Sequence, residues 1–156
     1  MFWRNIAVCM LTLLSWSTYS HAQAQQSVCA GSTIPTGWTV IHFSTNFTTC
    51  SRSTNDIWTL EQISTLSAGA TVNACSGFTL PSGWVLEDVS TNFADCGGIT
   101  NDISQLLNLN GLAIGTQKSV CAGDPLPPGW QVQSTSTDFT RCTKTSNDIQ
   151  TIKRIS

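Results

Sequence analysis

The sequence predicts a mainly β protein made of three small tandem modules, each closed by a disulfide bond. Three observations predict this. A 29-residue segment occurs at residues 29–57, 75–103 and 121–149, always at an offset of 46 residues. Each copy contains two cysteines, and in each copy alternating apolar residues follow a tryptophan. A fixed period of this size is typical of repeat architectures, and the alternation is typical of short half-buried strands.

The N-terminal segment has the composition of a secretory signal peptide. Arg4 gives a charged start, residues 6–14 are apolar, and the segment ends in the small-residue pattern Ala22-Gln23-Ala24. The apolar run has about half of the roughly 20 residues that a membrane span needs. We therefore expect residues 1–24 to be a signal peptide cleaved after Ala24 or Ala22, and the product to be secreted, periplasmic or on the extracellular surface.

The cysteine count agrees with export. The chain has seven cysteines, and Cys9 lies in the predicted signal peptide. An even number then remains, which in an oxidising compartment indicates three bridges; these residues are Cys29, Cys50, Cys75, Cys96, Cys121 and Cys142. Repetition makes pairing within each repeat the simplest solution, and a staggered set, with Cys50 joined to Cys75, Cys96 to Cys121 and Cys29 to Cys142, stays open.

The charge of the exported chain excludes two classes of partner. It holds nine acidic residues and, without Arg4, six basic ones, so its formal charge is −3. Nucleic acids and anionic membranes both require a basic patch, and here the bases are scattered. We therefore expect no nucleic-acid partner, and the partner class that remains is an extracellular protein or glycan.

Each repeat begins with a turn followed by a strand. A proline fixes φ, and a glycine two residues later permits a positive φ, which suits a sharp entry into a strand. The prolines and glycines are Pro35 and Gly37, Pro81 and Gly83, and Pro127 and Gly129. Apolar residues then alternate from the recurring tryptophan.

An Asn-Asp-Ile sequence follows the second cysteine of each repeat, and apolar residues come after it at three-residue intervals. This spacing fits a bulged strand, which we favour, or one short helix per repeat opened by an Asn or Asp cap. The expected organisation is repeat 1 at 25–63, a linker at 64–74, repeat 2 at 75–109, a linker at 110–120, and repeat 3 at 121–156. Repeats of this length are too small to fold on an apolar core alone, so the disulfides would stabilise them.

The best binding candidates among the recurring residues are Trp38, Trp84 and Trp130, because an exposed indole stacks well on sugar rings and partner side chains. In so small a module, however, a core position for tryptophan is favoured. Recurring Trp and Phe would then supply apolar bulk. Any binding surface would consist of the variable positions 41–43, 87–89 and 133–135.

Catalytic and metal-binding patterns are weak. His42 is the single histidine after the predicted signal and does not recur. The cysteines lack zinc-site spacing. Asp56, Asp102 and Asp148 provide one carboxylate per repeat, which fits an Asn-Asp turn or cap better than calcium. The glycosylation motif at Asn46 has no equivalent in repeat 2 or repeat 3, and we interpret it as a by-product of repetition. We therefore expect no cofactor, no metal site and no enzymatic activity.

The pattern C…IPxGW…C…N over residues 29–155 resembles the short tandem repeats of small secreted bacterial proteins that have no assigned activity. The resemblance implies export and no particular chemistry. Two functions fit the sequence. The first is a secreted binding or interaction protein whose three copies give avidity. The second is a structural or surface-coat component without a specific ligand.

Overall fold

A computed structural model describes residues 23–50, 53–97, 102–142 and 146–156. The predicted signal peptide lies outside the described residues except for its last two positions. The described residues form nine β-strands and no helix. The predicted mainly β class is confirmed.

The strands form three sheets of three strands each, one per module. Module 1 contains β1 (Gln25–Cys29), β2 (Trp38–Ser44) and β3 (Ile57–Gln62); module 2 contains β4 (Thr71–Cys75), β5 (Trp84–Ser90) and β6 (Ile103–Asn108); module 3 contains β7 (Gln117–Cys121), β8 (Trp130–Ser136) and β9 (Ile149–Arg154). The strand orders are β1-β3-β2, β4-β6-β5 and β7-β9-β8, and all neighbours are antiparallel. The last strand of each module is therefore its central strand.

The segment after Asn-Asp is this central strand, so the favoured strand prediction is confirmed and the short helix is wrong. Leu60 and Ile63 are completely buried, and in module 2 Ile103, Leu106 and Leu107 are buried. Neighbouring positions along a strand point to opposite faces, so this central strand is covered on both faces. That explains the three-residue apolar spacing. The bulge lies elsewhere, in the edge strands β2, β5 and β8, as a register shift after Val40, Leu86 and Val132.

The disulfides join cysteines within each module. Cys29 pairs with Cys50, Cys75 with Cys96, and Cys121 with Cys142, with Cα–Cα distances of 5.5, 5.2 and 5.4 Å. The within-repeat prediction is confirmed, and the staggered alternative is wrong. Each bridge ties the end of the first strand to the loop that follows the second strand.

The Pro-x-Gly-Trp turn has the expected geometry. The Trp38 N–H donates to the Pro35 carbonyl at 3.1 Å, and Gly37 between them has φ of 80°. The Gly37 carbonyl accepts the N–H of Ile63, just beyond β3. A Cβ on Gly37 would lie 2.6 Å from the Cβ of Ser64, so glycine is required both for the positive φ and for this close approach.

The modules pack in series and share their apolar cores. Strand β2 packs against β4, and β5 packs against β7. Val40 and Leu60 of module 1 lie in one buried cluster with the Cys75 and Cys96 side chains of module 2. Leu107 of module 2 lies in another with residues of module 3. Each sheet is thus covered by its neighbour, as in repeat proteins whose units cannot bury their apolar faces alone.

The predicted linkers are part of the folded modules, so their expected boundaries need correction. The first strand of module 2 begins at Thr71 and that of module 3 at Gln117, inside the expected linkers 64–74 and 110–120. The residues just before these strands also pair with the central strand: the Gly69 N–H donates to the Asn108 carbonyl, and the Gly115 N–H donates to the Arg154 carbonyl. The reason is that each module needs a strand before its first cysteine to complete its sheet.

Candidate functional site

The three candidate tryptophans differ in exposure. Trp84 is only 4% exposed and packs against Ile63, Ala74 and Leu106. Trp38 and Trp130 are half-buried at the boundaries of their modules. The Trp84 ring is therefore part of the core in this structure, whereas Trp38 keeps some accessible surface.

The recurring phenylalanines lie on the surface. Phe47, Phe93 and Phe139 are 59%, 66% and 68% exposed. The expectation that Phe supplies core bulk is therefore wrong. Each ring lies in the loop between the second strand and the central strand of its module, at residues 45–50, 91–96 and 137–142, which we call the phenylalanine loops. A large apolar residue that recurs in every copy but is exposed in every copy has no role in packing.

Recurring polar residues fix the shape of the phenylalanine loops. The residue before each phenylalanine donates its backbone N–H to a buried aspartate: Asn46 to Asp56 at 2.7 Å and Asn92 to Asp102 at 2.8 Å, with Asp138 to Asp148 at 3.1 Å. Its own side-chain oxygen accepts the N–H of the residue after the phenylalanine, which closes an Asx turn. Hydrogen bonds therefore fix the backbone on both sides of each phenylalanine, at the residue before it and at the residue after it.

A second hydrogen bond braces the loops of modules 1 and 3. The N–H of Asn55 donates to the Thr45 hydroxyl at 3.0 Å, and that of Asn147 donates to the Thr137 hydroxyl at 2.9 Å. Both asparagines have φ of 58°, a left-handed conformation that asparagine tolerates better than most residues. In module 3, hydrogen bonds from the side chain and backbone of Thr140 lower the pKa of Asp138. These recurring Thr, Asn and Asp residues explain why so much of the repeated sequence is polar.

The buried aspartates serve the loops as hydrogen-bond acceptors. Asp56, Asp102 and Asp148 are 1%, 1% and 3% exposed. One oxygen of each carboxylate accepts the loop N–H, and the other has no hydrogen-bond partner among the described residues. No three His, Cys, Asp or Glu side chains converge within that part of the chain. The geometry therefore explains these carboxylates as braces of the phenylalanine loops.

Variable positions of the edge strands form polar contacts between modules, and one of the two is an ion pair whatever the state of His42. His42 Nδ1 of module 1 lies 3.3 Å from Asp95 Oδ1 of module 2. Asp88 of module 2 occupies the position equivalent to His42, and its Oδ2 lies 3.6 Å from Nε of Arg141 in module 3. His42 therefore has a partner across a module boundary. The first interface pairs an imidazole with a carboxylate, and the second pairs a carboxylate with a guanidinium. The two interfaces therefore differ in the polar groups that pair across them.

A second candidate site lies between modules 1 and 2, and we call it the aromatic groove. It lies between the connections that lead from the first to the second strand in the two modules, and has a volume of about 540 Å³. Its apolar lining includes Ile34, Trp38, Trp58, Phe78, Leu80 and Pro81. The ring centroids of Trp58 and Phe78 are 5.0 Å apart, and the angle between the ring planes is 81°. The centroid of the Phe43 ring lies 6.2 Å from that of Phe78.

The aromatic groove does not recur. The positions of Trp58 and Phe78 are occupied in the next modules by Ser104 and Asp124. Sequence analysis did not single out these two aromatics, because they are 20 positions apart and each occurs in one repeat. A search for unique aromatic residues in otherwise aligned columns would have found them.

Comparisons with known proteins give no match to a family model, to a curated protein or to a solved structure. In the part of the chain that the structure describes, no helix is long and apolar enough to cross a membrane.

Proposed function

We propose that this chain is an exported, non-enzymatic binding protein that presents one phenylalanine loop per module to an extracellular protein or glycan. The resemblance to repeats of small secreted bacterial proteins and the predicted signal peptide support export. The three disulfides suit an oxidising compartment. No catalytic role is assigned to any residue in this proposal.

The exposure of Phe47, Phe93 and Phe139 carries the proposal. An identical ring in three copies, 59–68% exposed, gives an equal contact in each module. Phenylalanine, like the other aromatic residues, is enriched at protein interfaces relative to the rest of the surface. The braced loops reduce the conformational entropy that each contact would lose on binding.

Three equal contacts on one chain favour a ligand that is itself repeated. Each contact is weak alone, but linked contacts raise the overall affinity by about 10²–10⁴ when geometry permits simultaneous binding. The same strand packing joins modules 1 and 2 and modules 2 and 3. We therefore expect the loops to recur at similar spacings, which suits a surface or polymer with a repeating unit.

The test is a set of Phe→Ser variants at positions 47, 93 and 139, made singly, in pairs and together. The full chain without its signal peptide is screened on arrays of extracellular glycans and proteins, and affinities for the hits are measured by surface plasmon resonance. We expect a stepwise loss with each substitution and a total loss of about 100-fold or more in the triple variant. The thermal midpoint should change little, because the rings are exposed.

The matched control is Ile114→Ser, since Ile114 is 71% exposed but lies outside the loops and does not recur. It should bind like the wild type. Unchanged binding by the triple variant would refute the role of the loops. If the wild type shows no saturable ligand at all, the alternative of a structural or surface-coat component is favoured.

A further inference from the structure

We propose that the aromatic groove between modules 1 and 2 is a binding site for one neutral saccharide per chain. This site is separate from the phenylalanine loops, and it depends on Trp58 and Phe78, which do not recur. Its volume of about 540 Å³ is within the usual range of roughly 300–1,000 Å³ for small-ligand sites. It also lies at a boundary between two units, where such sites are common.

The charge of the lining selects a neutral ligand. None of the residues that line the groove in the described chain is Asp, Glu, Lys, Arg or His. Burying a charged group without a partner costs several kcal/mol or more, so an ionised ligand would lose free energy here. The ionisable residues of the first interface, His42 and Asp95, pair with each other outside the groove.

The hydroxyl groups of the lining select a polar ligand over a hydrocarbon. Ser32 and Thr36 lie on the module 1 side, and Thr79 and Ser82 lie on the module 2 side. All four residues are exposed, so their hydroxyls form a polar rim around the aromatic wall. A pyranose ring matches both features, because its C–H face packs on an aromatic ring and its hydroxyls hydrogen-bond at the edge.

The arrangement of the rings disfavours the other neutral ligand of aromatic grooves, a proline-rich peptide. Such peptides place prolines between aromatic side chains of the groove. Here the Trp58 and Phe78 rings meet edge to face with centroids 5.0 Å apart, which leaves no space for a proline between them. The two rings are in contact and nearly perpendicular, so a flat sugar face would stack on one of them while the other packs beside it.

The experiment titrates the full chain without its signal peptide with neutral oligosaccharides of glucose, galactose, mannose, xylose and N-acetylglucosamine. Tryptophan fluorescence reports binding, because Trp38 and Trp58 line the groove, and calorimetry gives the stoichiometry. Oligogalacturonate and decaproline serve as charged and peptide probes. We expect saturable binding of at least one neutral series with one site per chain.

Two variants locate the site. Trp58→Ser introduces the residue that module 2 holds at the equivalent position of its central strand, Ser104, so the strand pairing is kept. Thr79→Arg places a charge on the exposed rim and leaves the core unchanged. Each should lower affinity by about 10-fold or more, the size expected for a central contact. Ile114→Ser, which is remote in the sequence and absent from the lining, should bind like the wild type.

Three results would overturn the proposal: no saturation with any neutral series, tighter binding of oligogalacturonate or decaproline, or unchanged affinity in both variants. All measurements keep the three phenylalanine loops intact. A negative result for saccharide binding at the groove therefore does not affect the proposed function of the loops. Unchanged binding by the loop variants likewise does not affect the groove proposal.

Discussion

Strands β2 and β8 hold the same position in modules 1 and 3, but β2 packs against β4 of the next module, whereas β8 packs only within its own sheet among the described residues. Val40 in β2 is 0% exposed against the Cys75–Cys96 disulfide, whereas its equivalent Val132 in β8 is 39% exposed. Thr39, which is buried, is replaced by the exposed Gln131. The uncovered strand thus exposes positions that the covered strand buries, and the apolar Ile41 and Phe43 are replaced there by Gln133 and Thr135.

The difference teaches that variation between the repeats follows the neighbour of each strand. Phe43 packs in the first interface, and its equivalent in β8 is the exposed Thr135. In the described part of the chain, β8 packs only against β9, and its exposed side chains are mostly polar. Much of the variability at positions 41–43 and 133–135 therefore reflects packing between modules.

The largest effect is expected from Trp84, which lies in the module covered on both sides. Trp84→Ala should lower the free energy of unfolding by about 3–5 kcal/mol, because it empties a core position. Trp130→Ala in the end module should cost clearly less, since that ring is half-buried. Chemical denaturation with disulfides intact measures both. Equal losses would show that packing of a neighbouring module does not determine how much the recurring tryptophan contributes to the free energy of unfolding.

A smaller effect tests the same contrast at one pair of valines. Val40→Ala removes two buried methyl groups, which should cost about 1.5–3 kcal/mol. Val132→Ala should change stability by less than about 0.5 kcal/mol, because it acts on the uncovered strand. The two thermal midpoints, compared with wild type, check the prediction. A large loss from Val132→Ala would mean that β8 is covered in solution.

The smallest effect concerns the ion pair of the second interface. Asp88→Arg should cost up to about 1 kcal/mol, because it sets a like charge against Arg141 and both side chains are partly exposed. Adding Arg141→Asp should restore part of the loss, and salt should weaken the effect. Ser134→Asp at the equivalent open position is the control and should be neutral. A double variant no more stable than Asp88→Arg alone would argue against pairing across this interface.

Much of the fold could be predicted, because the repeats compare three versions of one structure. The within-repeat disulfides and the two later strands follow from the recurring cysteines, the Pro-x-Gly-Trp turn and the alternation after Trp38. The first strand could not be placed, since Thr71-Val72-Asn73-Ala74 has too short an apolar pattern to distinguish it from a linker. Its stability comes from pairing with the central strand.

The candidate sites were harder to predict than the fold. Recurrence of Phe93 is equally compatible with a core and a surface position, and only the loop geometry separates them. The aromatic groove depends on Trp58 and Phe78 meeting across a module boundary, a contact that neither repeat contains alone. Contacts between modules leave no periodic signal when they occur once.

The strand order 1-3-2 has a consequence for how the chain acquires its structure. A chain is synthesised from its N-terminus, so the two outer strands of each module emerge before the central strand that hydrogen-bonds to both. Until then their backbone groups lack sheet partners. The cysteines of a module also precede its central strand, so oxidation can hold the outer strands near each other beforehand. We therefore expect insertion of the central strand to complete the modules one at a time and to form the sheet against which the next module packs.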